Sequence, residues 1–131
     1  MRATARREGN SLKHVIEIGE HELVADEPDD VGGEDAGPSP QELLAASLAS
    51  CTAVTIEMYA RRKGWDIGQV EVEVDYEPAQ RGSPTRFEMK VKLPSDLDPE
   101  QQQRIMQIAA RCPVHRTLEG EVMFEEKLEL A

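Results

Sequence analysis

The stretch SPQELLAASLASCTAVTIEMYARRKG, Ser39 to Gly64, constrains the fold more than any other part of the chain. Ser39 can cap a helix, Pro40 suits its first position, and Glu42 completes a Ser-x-x-Glu capping box. Leu43, Leu44, Leu48, Cys51, Val54, Thr55, Met58 and Tyr59 follow at offsets of three and four, with small Ala and Ser between them. Arg61, Arg62 and Lys63 put cations in the last turn, and Gly64 stands just past the end. A helix of about 24 residues is about 36 Å long, a large element for a chain of 131 residues. It is predicted to be the central core element, with its small-residue face against another helix.

The flanks read as strands and shorter helices. KHVIEIGEHELVAD holds two runs, His14 to Ile18 and Glu22 to Ala25, split by Gly19-Glu20 at a hairpin turn. DEPDDVGGEDAGPSP has almost nothing apolar and reads as a mobile loop. QVEVEVDYEP alternates, with Val70, Val72, Val74 and Tyr76 on one face; FEMKVKLP repeats the pattern with Phe87, Met89, Val91 and Leu93. Glu71 and Glu73 can face Lys90 and Lys92 across an antiparallel pair. Asp98 caps a second helix carrying Ile105, Ile108, Ala109 and Cys112 on one face, and Pro113 stops it. A short third helix is predicted through Arg116 to Leu118, ended by Gly120. EVMFEEKLEL then closes the chain as a strand, with Val122, Phe124, Leu128 and Leu130 on one face. The whole is an α+β arrangement, expected as a single domain over residues 1–131.

Charge excludes some partners. A net charge of −11 argues against nucleic acid, whose phosphates need a basic face, and against anionic membrane. MRATARREGN has positive charge but no apolar run behind it, and no stretch is read as approaching the roughly 20 residues of a membrane span. The expected compartment is the cytoplasm, where a permanent structural disulfide is unusual.

The two cysteines carry the remaining chemistry. Cys51 lies on the stripe of the long helix, and Cys112 ends the second helix within AARCPVHRT. If the two helices pack face to face, the sulfurs meet. Both can equally be inert core residues, as free cysteines commonly are. If Pro113 opens a helix, Cys112 sits at its positive end, and Arg111, His115 and Arg116 add cations, all of which favour a thiolate there. A metal is the rival use: Cys112 and His115 are three apart and Cys51 can add a third ligand. Structural zinc normally shows two paired ligand sets, however, so no metal ligand and no cofactor is assigned. His14 and His21 fall on opposite phases of the strands and read as surface residues.

At these residues the chain resembles the OsmC/Ohr family. GPSPQELLAASLASCTAVTIEMYARRKGW, VEVEVDYEP and RCPVHRTLEGEV carry the resemblance, which runs from about Gly37 to the end. It implies an OsmC-like fold, with antiparallel sheets wrapped around long central helices in an intertwined homodimer. It also implies a thiol peroxidase in which Cys51 attacks an organic hydroperoxide, Cys112 resolves the sulfenic acid as a disulfide, and an external dithiol reduces it. The small apolar helix surface around Cys51 fits an apolar substrate. Family peroxidases use an N-terminal Arg to stabilise the thiolate, held by a Glu directly after the helix-start proline. Here that position is Gln41, and Glu42 follows about 100° further around the helix; Arg2, Arg6 and Arg7 are the N-terminal arginines. The alternative reading is a non-enzymatic binding module that holds a lipid-like or aromatic molecule at the dimer interface, with redox-sensing or vestigial thiols.

Overall fold

The computed structural model describes residues 1–94 and 96–130. They cluster into two compact units, Met1–Ala46 and Ser47–Ala131. The helix α1 (Pro40–Lys63) starts in the first and continues through the second.

In the first unit, β1 (Ala3–Arg7), β2 (His14–Ile18) and β3 (His21–Ala25) form an antiparallel meander in the order β1-β2-β3. The β2–β3 hairpin turns where the sequence places it, with Gly19 at φ 59° supplying the left-handed conformation. Strand β1 has no strong sequence signal of its own. Its Ala, Thr and Arg residues are held by pairing with β2, and Arg6 meets Glu17 across that pair at 2.7 Å.

The acidic segment after β3 is tied down rather than mobile. Asp26 is buried, and its carboxylate accepts backbone N–H groups from Glu27 (2.8 Å), Glu34 (3.2 Å) and Ala36 (3.1 Å). Asp29–Val31 form a single 3-10 turn, and Gly33 packs so closely that a Cβ would lie 1.8 Å from the Glu27 carbonyl oxygen. The amide of Glu27 above all, with those of Ala36 and Glu34, holds the Asp26 carboxyl below its ordinary range against the opposing effect of burial. Its stabilisation is therefore present above the unfolded value of about 3.9 and is lost as pH falls through the lower folded value. Asp26→Ala is expected to lower the protection of the Glu34 and Ala36 amides, measured against their intrinsic exchange rates, at neutral pH, and acid below about pH 4 to do the same to the unmodified chain. Unchanged protection in both measurements would contradict this role.

The second unit is built on the rest of α1, on β4 (Glu71–Glu77) paired antiparallel with β5 (Arg86–Lys92), and on α2 (Pro99–Ala109) and α3 (Pro113–Glu119). The strands alternate exposed and half-buried residues as read from the sequence. Glu71 opposes Lys92 and Glu73 opposes Lys90, and Lys92 Nζ reaches both Glu73 (2.7 Å) and Glu71 (3.4 Å). Asp98 caps α2, accepting the Gln101 N–H at 2.8 Å. Ile56, Ala60, Ile67, Leu97, Ile105 and Ala109 form the core, with Trp65, Val70, Val91 and Leu93 against it.

Three sequence expectations are corrected. The buried residues of α1 are Leu48, Thr52, Ile56, Tyr59 and Ala60, whereas Val54 and Met58 are 55% and 62% exposed. A helix with small and apolar residues nearly all round has no single stripe, so offsets of three and four select the wrong face as easily as the right one. The same composition makes α1 long and apolar enough to cross a membrane, with a mean hydropathy of 1.4 over 18 residues. In the second unit, however, Ile56 and Ala60 pack with Ile105 and Ala109 of α2, as in a core helix. Finally, EVMFEEKLEL forms no strand: residues 121–130 lie outside regular structure with Val122, Met123, Phe124, Leu128 and Leu130 exposed. Alternation alone does not make a strand without a neighbour to hydrogen-bond, and neither sheet includes this segment.

Candidate active site

Pro113 determines the geometry of Cys112. A residue before proline is pushed out of the helical region, and Cys112 has φ −63° and ψ 145° between α2 and α3. In that conformation it caps α3: its Sγ accepts the His115 backbone N–H at 3.2 Å. The side chain is fully buried.

The middle of α1 meets this helix start. Cys51 is half-buried and Cys112 buried, both are free thiols, and Cys112 is near enough to perturb the Cys51 thiol. Both cysteines lie in the second unit, Cys51 in α1 and Cys112 at the start of α3. Burial pushes the Cys51 thiol above its ordinary range. The Val114 amide opposes this, the hydrogen bond and charge of Cys112 add to it, and the Thr55 hydroxyl pulls slightly the other way. Because the thiolate is the reactive form, alkylation of Cys51 by iodoacetamide is expected to accelerate well past pH 8.5. A rate that levels off below pH 8 would contradict the dominance of burial.

The cations that the sequence sets around Cys112 do not converge on it. Arg111 and Arg116 are exposed. The ring of His115 turns toward Glu119, with Nδ1 2.9 Å from Oε1. That contact is off the line of a ring N–H, so the buried Nδ1 lacks a hydrogen bond. Among the described residues no group of three or more His, Cys, Asp or Glu side chains is arranged to hold a metal ion.

The N-terminal groups are engaged locally. Glu42 and Ser39 form the capping box read from the sequence: Ser39 N–H donates to Glu42 Oε1 at 2.9 Å, and Glu42 N–H to Ser39 Oγ at 3.1 Å. These bonds hold the Glu42 carboxyl below its ordinary range. Gln41 is exposed, Arg6 pairs with Glu17, and Arg7 donates to the carbonyls of Asn10 and Ser11.

Sequence reasoning missed Thr52 and Met89. Thr52 is fully buried, and its hydroxyl lies 3.6 Å from Cys112 Sγ and 3.7 Å from Met89 Sδ on β5. The only signal available was its place one residue after a cysteine.

The OsmC-like protein family model matches residues 32–127, which include both cysteines and α1, α2 and α3. The chain belongs to the OsmC-like family. Among relatives of the OsmC-like chain, an uncharacterized protein of Haloferax volcanii is 27% identical over 108 residues, 81% of this chain and 78% of that one. A Psychrobacter arcticus 273-4 protein, assigned to the osmotic stress induced and detoxification response, is 28% identical with a TM-score of 0.75. That match covers 88% of this chain and 85% of the other. The organic hydroperoxide resistance protein OhrB of Bacillus subtilis has the same fold at 22% identity and a TM-score of 0.60, over 91% and 90% of the two chains. An α+β architecture with antiparallel sheets and three helices is thus the OsmC-like fold, as the sequence resemblance implies.

Proposed function

We propose that this OsmC-like protein is a cytoplasmic thiol peroxidase that reduces organic hydroperoxides through Cys51 and Cys112. The observation that carries the reading is the asymmetry of the pair. Cys51 is half-buried, whereas Cys112 is fully buried and caps α3 through its sulfur.

The steps follow from that asymmetry. The Cys51 thiolate attacks the outer oxygen of the hydroperoxide; an S–O bond forms, the O–O bond breaks, and the alkoxide takes a proton to leave as alcohol. Cys51 is then a sulfenic acid. Cys112 attacks that sulfur, a disulfide forms, and the departing hydroxide leaves as water with the Cys112 proton. An external dithiol reduces the disulfide by exchange.

A homodimer belongs to the same reading. Val54 and Met58 leave a second apolar face on α1, and the exposed apolar residues from Val122 to Leu130 are an unmatched set for a protein alone in water. Light scattering is expected to give a mass near twice 14.6 kDa, and a clean monomer would count against the assembly.

A second reading, a binding module for a lipid-like or aromatic molecule, draws on two observations. Burial raises the Cys51 thiol, and the first unit holds an apolar hollow of about 440 Å³ lined by Leu12, Ile16, Ala25 and Pro40 among others. One assay separates the two. With an organic hydroperoxide and a dithiol, the wild type is expected to consume peroxide catalytically and Cys51→Ser only at the background rate. Equal rates for both would leave the binding module as the surviving reading.

A further inference from the structure

A threonine inside a helix ordinarily settles its hydroxyl on the carbonyl one turn back. Thr117 does so in this protein, donating to the Pro113 carbonyl at 2.9 Å. Thr52 has the same opportunity in α1 and does not take it. It is fully buried, and among the described residues its hydroxyl bonds only to two sulfurs, Cys112 Sγ and Met89 Sδ.

The hydrogens of this cluster can be assigned by elimination. A thioether has no hydrogen and can only accept. Thr52 therefore donates to Met89 Sδ, and the oxygen is left to accept from the Cys112 S–H, while Cys112 Sγ accepts the His115 N–H on its other side. With Cys112 as a thiol, the Thr52 hydroxyl and the Cys112 S–H each have a partner. Once Cys112 loses its proton, the Thr52 oxygen has no donor facing it and the sulfur has become an anion. The hydroxyl then gains by turning from a weak neutral acceptor, Met89, to a charged one, since bonds to ionised groups are about twice as strong as neutral ones.

We propose that Thr52 is a hydroxyl rotor for the resolving step, parked on Met89 in the resting protein and turned onto the Cys112 thiolate as it attacks Cys51. The inference rests on the assignment of Cys51 and Cys112 as a reacting pair. It assigns Thr52 to the second half of the reaction only. The proton that leaves Cys112 ends on the group expelled from Cys51, so the sulfenic acid yields a disulfide and one water. Met89 supplies a resting place that costs little to leave.

The test uses no peroxide, so its outcome is independent of whether hydroperoxide is the oxidant. Reaction with dithiobis(nitrobenzoate) places thionitrobenzoate on the accessible Cys51. Attack by Cys112 then releases the coloured thiolate and forms the same disulfide. Thr52→Val, which keeps the shape and removes the hydroxyl, is expected to slow that release about tenfold or more and to shift its pH profile upward, as loss of a bond to a charged group predicts. Thr52→Ser is expected to restore the wild-type rate and profile, which separates the hydroxyl from the packing of the γ-methyl. Met89→Leu is expected to resolve as fast as wild type or faster. Release from Thr52→Val at the wild-type rate, or a Met89→Leu defect as large as that of Thr52→Val, would overturn the assignment.

Discussion

Cys112→Ser is expected to react with one equivalent of organic hydroperoxide and then stop. Serine retains the cap of α3, because its oxygen accepts the N–H that Sγ accepts from His115 at 3.2 Å, so the helix start keeps its shape. Cys51 remains half-buried with its access unchanged, and the charge of Cys112, one of the effects that push its thiol upward, is gone. The first step is therefore expected to proceed at least as fast as in the wild type. Without a second thiol the sulfenic acid persists, and turnover with a dithiol is expected to fall by a factor of a hundred or more, on the order of the loss of a whole catalytic group. Mass spectrometry with a sulfenate trap reads the first step and peroxide consumption reads the second. Undiminished turnover would mean that the reductant attacks the Cys51 sulfenate directly and that Cys112 has no part.

Ile105→Ala is expected to cost about 2–5 kcal/mol of stability. Ile105 is fully buried at the centre of the second unit, with Ile56 and Ala60 of α1, Ala109 of its own helix, and Ile67 and Leu97 from the connections. Two of these neighbours are already alanines, which have no further side chain to move into a void, so relaxation is limited and the cavity remains. For a chain whose total stability is on the order of 5–15 kcal/mol, that is a large share. The urea midpoint is expected to fall with an unchanged slope, and Ile105→Val to cost only about 0.5–1.5 kcal/mol. A loss below about 1 kcal/mol for the alanine variant would place the centre of the core elsewhere.

The parts of the fold legible in the sequence were those with a local physical cause. Ser39, Pro40, Glu42 and Gly64 bound α1 as written, because capping and proline chemistry are decided within one turn. Asp98 starts α2 and Pro113 separates it from α3 for the same reason. The alternation in β4 and β5 gave even the pairing of Glu71 and Glu73 with Lys92 and Lys90. What failed depended on partners distant in sequence. The buried face of α1 is selected by α2, not by the helix, so Val54 and Met58 came out exposed. Val122 to Leu130 alternate like a strand, yet no strand in either sheet takes them as a neighbour.

The site divides the same way. Cys51 and Cys112 stood out in the sequence as the two thiols, while whether they meet depended on how α1 packs. The cations expected around Cys112 were read from neighbours in sequence, and Arg111 and Arg116 instead point to solvent. Thr52 was invisible because a threonine within an apolar run looks like a tolerated substitution until β5 brings Met89 to within 3.7 Å.

The most direct measurement is the fate of the two thiols after one equivalent of an organic hydroperoxide such as cumene hydroperoxide, read by peptide mass spectrometry of the unreduced protein. The expected result is a single cross-linked peptide joining Cys51 to Cys112, with one hydroperoxide converted to alcohol for each disulfide formed. Two free thiols beside unconsumed hydroperoxide would contradict the account.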